Sequence, residues 1–207
     1  MTPSGVILFD KPPNWTSHDA VEALRRVLPK GVKVGHCGTL DPLATGLLII
    51  LAGPCTKLQA RLQGLDKVYA GKIRLGAATD TGDVLGKVLE TRPVPELDLA
   101  RLQSLMDLHV GVLVMPAPAY SAVKYKGKPL YKYARAGISV PARPRTCKVS
   151  SWKALSYGSP DLEHRLECSS GTYVRSLAES LGRRLGCGAT VLALRREERP
   201  ETIEGDG

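Results

Sequence analysis

The longest unbroken apolar run in this 207-residue chain is Leu47–Ala52, only six residues, and it is entered from a glycine-dense loop spanning Gly35 to Gly46. A membrane-crossing helix needs roughly 20 such residues, so the run predicts a buried strand in a water-soluble protein. Asp10 and Lys11 interrupt the N-terminus where the apolar core of a secretory leader would lie. The expectation is a cytoplasmic protein with no membrane association. Hydrophobic residues make up 43% of the chain and charged residues 24%. That is ordinary globular usage and enough apolar surface to offset chain entropy, so disorder is excluded as the main state.

The periodicities alternate between strand and helix. Gly5–Phe9 reads as a strand ending at Asp10-Lys11-Pro12-Pro13. Thr16-Ser17-His18-Asp19 has the form of a capping box, and Ala20, Val21, Leu24, Val27 and Leu28 follow at helical spacing up to Pro29-Lys30-Gly31. Lys67–Leu75 alternates with Tyr69, Gly71, Ile73 and Leu75 on one face. Thr79–Asp83 reads as a turn, and Val84–Glu90 as a return strand. Leu99, Leu102, Leu105, Met106 and His109 mark a helix. Leu162, His164, Leu166 and Cys168 mark a strand, and Val174, Leu177, Ala178, Leu181 and Leu185 a second amphipathic helix. Strands and helices are interleaved without a strict βαβ rhythm, which predicts an α+β fold.

Lys plus Arg number 29 and Asp plus Glu 20, giving a net charge of +9, and basic chains favour anionic partners. The excess is concentrated in Tyr120–Lys148, which holds Lys124, Lys126, Lys128, Lys132, Arg135, Arg143, Arg145 and Lys148 and no acid. Tyr120, Tyr125, Tyr131 and Tyr133 lie among them. Cations serve phosphates and ring faces serve bases, so the stretch reads as a nucleic-acid contact or as a solvated basic loop. Its glycines and prolines predict little regular structure.

Asp41 stands between Leu40 and Pro42 in the glycine-dense loop. Proline biases its predecessor toward extended backbone, and a carboxylate among apolar neighbours needs a partner if it is buried. Spacing alone leaves both an Asx turn and a functional carboxylate open. Arg175 is the partner to look for. It falls in the first turn of the helix beginning at Val174, where the macrodipole disfavours a cation, so either a carboxylate or solvent must compensate it. Tyr69 reads as a packing residue, His36 as a loop-tip contact or an exposed side chain, and Asp80 and Asp83 as turn formers that fall short of a calcium loop. Cys37, Cys55, Cys147, Cys168 and Cys187 are isolated, with neither zinc-site nor disulfide spacing. They fit a reducing compartment as small core residues.

Gly35-His36-x-Gly38-Thr39-Leu40-Asp41-Pro42-Leu43-Ala44-Thr45-Gly46 resembles the catalytic-loop signature of the TruB family of tRNA pseudouridine synthases. Asp10-Lys11-Pro12 with Trp15–Asp19 is similar to the family's N-terminal motif. The likeness continues through Lys67-x-Tyr69, Gly76-x-x-Thr79-Asp80-Thr81, Pro118-x-Tyr120-Ser121-Ala122-x-Lys124 and Gly127-x-x-Leu130-Tyr131-x-Tyr133-Ala134-Arg135. It ends with Gly171-Thr172-Tyr173-Val174-Arg175 and Leu194-Arg195-Arg196, in family order.

The resemblance implies a pseudouridine synthase fold: a mixed, mostly antiparallel sheet flanked by helices. It implies one catalytic domain over 1–200 with a basic, flexible insertion at about 118–148, a frayed tail over 201–207, and none of the C-terminal PUA-type domain that longer members carry. The implied reaction converts uridine to pseudouridine at position 55 in the T-loop of tRNA, without cofactor or metal, in a monomeric enzyme. By the same resemblance Asp41 is the nucleophile and Arg175 orients it. Tyr69 stacks on the target ring and assists proton removal, and Leu194 packs on the ring. His36 fills the space left by the flipped base. Tyr173, Lys124 and Asp80 lie in motifs that would contact the substrate, and the basic stretch would close over the RNA as a lid.

The chain departs from the pattern at Cys37 (usually Thr), at Thr190 (commonly His) and at Glu197-Glu198, where a polar or basic run is typical. With these departures, and above all without the C-terminal RNA-binding extension of longer members, weaker or differently placed tRNA contacts are expected. The alternative is a non-catalytic RNA-binding or tRNA-folding module on the same scaffold. The joint presence of Asp41, Tyr69 and Arg175 favours the enzyme over it. A guide-RNA-dependent catalytic subunit is disfavoured by the short chain.

Overall fold

The computed structural model describes residues 3–141 and 144–197, so the expected tail at 201–207 and Arg143 fall outside the described residues. The chain divides into two compact units, one formed by residues up to Ala70 together with those from Leu194 onward, the other by Gly71–Ala193.

In the first unit the order is β1 (Gly5–Lys11), α1 (Ser17–Val27), β2 (Val34–Cys37) and β3 (Thr45–Ala52). A 3-10 segment over Gly53–Leu58 and the short α2 (Gln59–Gly64) lead into β4 (Lys67–Leu75). β1 and β2 both pair antiparallel with β3. β3 therefore sits inside the sheet, and Leu48, Ile50 and Leu51 are completely or almost completely buried. The capping box forms as the sequence requires: the Asp19 amide donates to Thr16 Oγ1 at 3.1 Å, and the Thr16 amide donates to Asp19 Oδ2 at 2.7 Å. Each such cap is worth about 1 kcal/mol.

The second unit contains β5 (Ala77–Thr79), β6 (Val88–Thr91), α3 (Leu99–Asp107), β7 (Gly111–Pro116), β8 (Lys124–Tyr125), β9 (Lys128–Pro129) and α4 (Leu130–Arg135). It continues through β10 (Pro144–Gly158), β11 (Asp161–Cys168), α5 (Val174–Leu185) and the start of β12 (Ala189–Glu197). β10 pairs antiparallel with β7 and with β11. Arg74 and Lys72 at the end of β4 pair with Asp161 and Glu163 of β11, each at 2.8 Å. Trp152, Ile73, Leu102, Met106, Leu166 and Leu177 form the core. β10 slips register twice, and the side chain of Gln103 on α3 caps the exposed backbone there. It donates to the Trp152 carbonyl and accepts from the Ala154 amide. The last residues of β12 return to the first unit, where Arg195 and Arg196 lie parallel to Thr45 and Gly46 of β3. The α+β class and the mixed, mostly antiparallel pairing thus hold.

Several details differ from the sequence expectations. The return strand is β6, not Val84–Glu90, because two aspartates take the intervening amides: Asp83 Oδ1 accepts from Leu85 N and Asp80 Oδ1 from Lys87 N. Those side-chain bonds hold residues 84–87 in a turn. Val27 ends α1 exposed rather than packed, and His109 lies beyond α3, buried, with Nδ1 at 3.0 Å from the Leu105 carbonyl. The basic stretch holds more regular structure than its composition predicts. Lys126 and Gly127, both at positive φ, make the tight turn of the β8–β9 hairpin. α4 follows directly, and Pro144 opens the 15-residue β10.

His164 is buried beside Trp152, whose indole Nε1 donates to its Nδ1 at 3.2 Å. Its Nε2 has no hydrogen-bond partner among the described residues. Burial pushes its pKa down from 6.5 to about 4. Between those two values the unfolded chain takes up a proton that the folded chain refuses, so stability falls as pH falls through that window. The loss is up to roughly 3 kcal/mol. Urea unfolding followed by circular dichroism at pH 7 and pH 4.5 should show the wild type losing most of this amount and His164→Gln losing distinctly less. Equal losses would remove His164 as the cause.

Candidate active site

In the first unit Asp41 sits on the loop between β2 and β3, half-buried. The residues around it are fastened at several points. Ser17, at the start of α1, takes the Leu40 amide on its Oγ at 2.8 Å and donates to the Leu40 carbonyl at 3.2 Å. The Ala44 amide donates back to the Asp41 carbonyl at 3.0 Å. The Pro42 carbonyl accepts from the Asn14 amide at 2.9 Å and from Lys11 Nζ at 3.4 Å. Lys11 is wholly buried at the end of β1 and also donates to the carbonyls of Pro12 and Trp15. Burial lowers the pKa of its ammonium, and the carboxylates of Asp41 and Asp19 pull it back up. A fixed positive charge thus stands close to the Asp41 carboxylate.

The far end of the loop is set by Gly46. Its φ is +94°, and a Cβ there would lie 2.1 Å from the Arg196 carbonyl oxygen, so only glycine fits. Arg196 itself is buried. Its Nε donates to the Leu47 carbonyl at 2.6 Å and its Nη2 to the Gly38 carbonyl at 3.1 Å. Tyr69 on β4 and Leu194 on β12 are also buried in this unit, and the Leu194 carbonyl accepts from Thr45 Oγ1 at 3.4 Å. His36 on β2 is half-buried, with its Nδ1 enclosed and lacking a hydrogen-bond partner among the described residues. Burial lowers its pKa, and the charges of Arg196 and His18 push the same way. Cys37 is buried, which raises its thiol pKa.

In the second unit Arg175 lies in the first turn of α5 and is 5% exposed. Its Nη1 donates to the Thr81 carbonyl at 2.7 Å and its Nη2 to the Tyr120 carbonyl at 3.0 Å. Its Nε is 4.0 Å from Asp83 Oδ2. A carboxylate therefore does offset this cation in a position where the helix dipole opposes it. Within this unit that carboxylate is Asp83, which sequence reasoning took for a turn former only. Asp83 does both jobs, since its Oδ1 also receives Thr81 Oγ1 at 2.8 Å.

Tyr173 precedes α5 in extended conformation without capping it, and Lys124 is exposed on β8. Both oxygens of Asp80 already have partners in the protein: the Lys87 amide and the Tyr120 hydroxyl, the latter at 3.4 Å. Thr190, where the resemblance leads one to expect histidine, is buried with its hydroxyl 3.1 Å from that of Thr79. The basic stretch is internally tied: Tyr133 donates to the Tyr125 carbonyl, and Lys126 and Arg135 lie over the rings of Tyr125 and Tyr131. Among the described residues no cysteine is in a disulfide, and four of the five are buried. Among the described residues no group of three His, Cys, Asp or Glu gathers as a metal site, and no helix is long and apolar enough to cross a membrane.

Lys11, Asp83 and Arg196 escaped sequence reasoning as site residues. The first two carry the signal of a charge beside a turn, but only packing shows what they hold.

Comparison with known proteins gives a consistent answer. tRNA pseudouridine synthase B of Endomicrobium trichonymphae is 46% identical over 194 residues, covering 94% of this chain and 84% of that protein. The protein of the same name from Opitutus terrae is 48% identical over 192 residues, covering 93% and 79%. Among solved structures, a crystal structure of a Cbf5-Nop10-Gar1 complex matches with a TM-score of 0.71 at 28% identity, covering 94% of this chain and 48% of the matched one. This chain thus spans about half the length of that solved chain. The profile of the TruB family pseudouridylate synthase N-terminal domain matches residues 25–174, and the chain belongs to that family.

Proposed function

We propose that the protein converts uridine to pseudouridine in tRNA, at the T-loop uridine of position 55, with Asp41 as the nucleophile. The observation that carries this reading is the fixing of Asp41, a carboxylate on a loop held from both sides by Ser17, Lys11 and Arg196. Such immobilisation suits a group that must meet a reacting atom in one geometry. The relatives' shared name supplies the substrate.

The Asp41 carboxylate forms a covalent adduct with the substrate, and an anionic oxygen at neutral pH is competent for this. The N1–C1′ bond breaks, the uracil ring turns, and a C5–C1′ bond forms. C5 gives up its proton and N1 gains one, so the product is an isomer of the substrate and no oxidant or reductant is consumed. To reach Asp41 the uridine leaves its stack at a cost of a few kcal/mol. In this reading Tyr69 stacks on the extruded ring and assists removal of the C5 proton. Leu194 packs on the ring, and His36 occupies the vacated place. Tyr173, Asp80 and Lys124, with the cations and rings around Lys124, meet the RNA, where phosphate neutralisation and base stacking supply affinity. Arg175 steadies Asp41 by a charge-assisted hydrogen bond during the reaction.

Incubation with an unmodified tRNA transcript, followed by carbodiimide-based mapping, tests the reading. The expected result is one modified uridine, in the T-loop. A tRNA that is bound and left unmodified would instead identify a non-catalytic module on the same scaffold.

A further inference from the structure

We propose that Arg196 is a positioning residue for this reaction: its guanidinium clasps the two limbs of the Asp41 loop and thereby sets where the carboxylate stands. The inference rests on the reading above. It starts from the parallel register that places Arg196 opposite Gly46. The main chains approach so closely there that the Gly46 position tolerates no Cβ, which leaves the Arg196 side chain at the base of the loop. From that point the fork spans two carbonyls nine positions apart, Gly38 before Asp41 and Leu47 after it.

A planar fork with donors in fixed directions suits two separated acceptors, whereas a lysine ammonium is a single point on a flexible stem. Both acceptors are main-chain oxygens, so the bond pattern reports loop geometry and not the identity of the loop side chains. A direct phosphate contact is the competing role. It fits poorly with a side chain only 5% exposed, whose Nη1 sits 3.3 Å from where a Gly38 Cβ would be. The neighbouring Arg195 is the natural control. It makes a bidentate pair with Asp10 at 3.0 and 2.7 Å and is half-exposed; its stem passes Gly46, but in those bonds its guanidinium holds no carbonyl of the loop.

The test compares wild type, Arg196→Lys, Arg196→Gln and Arg195→Gln in the full chain. It reads kcat and KM on an unmodified tRNA transcript, and amide hydrogen exchange by mass spectrometry across residues 38–47. Arg196→Lys should lower kcat about 100-fold, the scale of an ångström-level misplacement, with KM within roughly threefold of wild type. Exchange across residues 38–47 should quicken about tenfold while peptides from β1 and α1 keep their protection. Arg195→Gln should change none of these. Wild-type kcat in Arg196→Lys would show that charge suffices and overturn the proposal. A raised KM with kcat intact would assign Arg196 to substrate binding, and faster exchange throughout the chain would reduce it to a fold residue. If Arg196→Gln does not fold, Arg196→Lys decides alone. If the wild type modifies no tRNA, the functional reading fails, and the local exchange result still judges the clasp.

Discussion

Asp41→Asn should abolish pseudouridine formation, lowering turnover by at least about 10³-fold, while tRNA affinity in a filter-binding assay stays within roughly threefold of wild type. Asparagine keeps the shape of the side chain, and the loop contacts around it involve main-chain atoms: the Asp41 carbonyl still receives the Ala44 amide, and Leu40 still bonds Ser17. What is lost is the negative charge and with it the capacity to form the adduct. The buried Lys11 ammonium also loses one of the two carboxylates that support its charge. Turnover near the wild-type rate would sink the nucleophile assignment outright. Joint loss of turnover and of affinity would instead place Asp41 in substrate binding.

The second large effect is expected at Arg175. Truncation to alanine strands Asp83, buried at 5% exposure, without the cation beside it, and removes the donors to the Thr81 and Tyr120 carbonyls. Breaking a buried pair from one side costs about 3–5 kcal/mol, so urea unfolding should show a loss of that order, a large fraction of the stability of a chain this size. Arg175→Lys keeps the charge but cannot hold both carbonyls, and should retain most of the fold while losing about 100-fold in kcat. If Arg175 acts through Asp41 as proposed, adding it to Asp41→Asn should cause no further loss of residual single-turnover activity, because residues that act as one unit are not additive. A multiplicative loss in the double variant would separate Arg175 from Asp41, and a stable alanine variant would remove the structural role inferred from its partners.

How much of this was legible beforehand depended on how local each signal was. Thr16 and Asp19 lie three residues apart, and their capping box follows from sequence alone. So does β11, whose Leu162, His164, Leu166 and Cys168 are buried in strict alternation, and so does the buried stripe of α5. β7 was missed because its outward positions are Val112 and Val114, both about 70% exposed, so apolar residues lie on both faces and the period of two vanishes. β10 was hidden by its proline, its cations and its two register shifts. At the site, the glycine-dense loop left Asp41 open between a turn former and a functional carboxylate, and only the family resemblance proposed a role for it. Arg196 did not, because it meets Gly38 across 158 positions of sequence. Asp83 could be seen as a turn former, but its place beside Arg175, contributed by a helix far along the chain, could not.

The chain has two tryptophans, and each belongs to a different unit. Trp15 stacks on Phe9 with ring centroids 6.3 Å apart and is 37% exposed. Trp152 is entirely enclosed between His109 and His164. Their fluorescence therefore separates by environment, the enclosed indole emitting to the blue of the solvent-touched one. Single Trp→Phe variants would give each unit its own optical reporter, so that melting of the Asp41-bearing part and of the Arg175-bearing part could be followed independently in one protein.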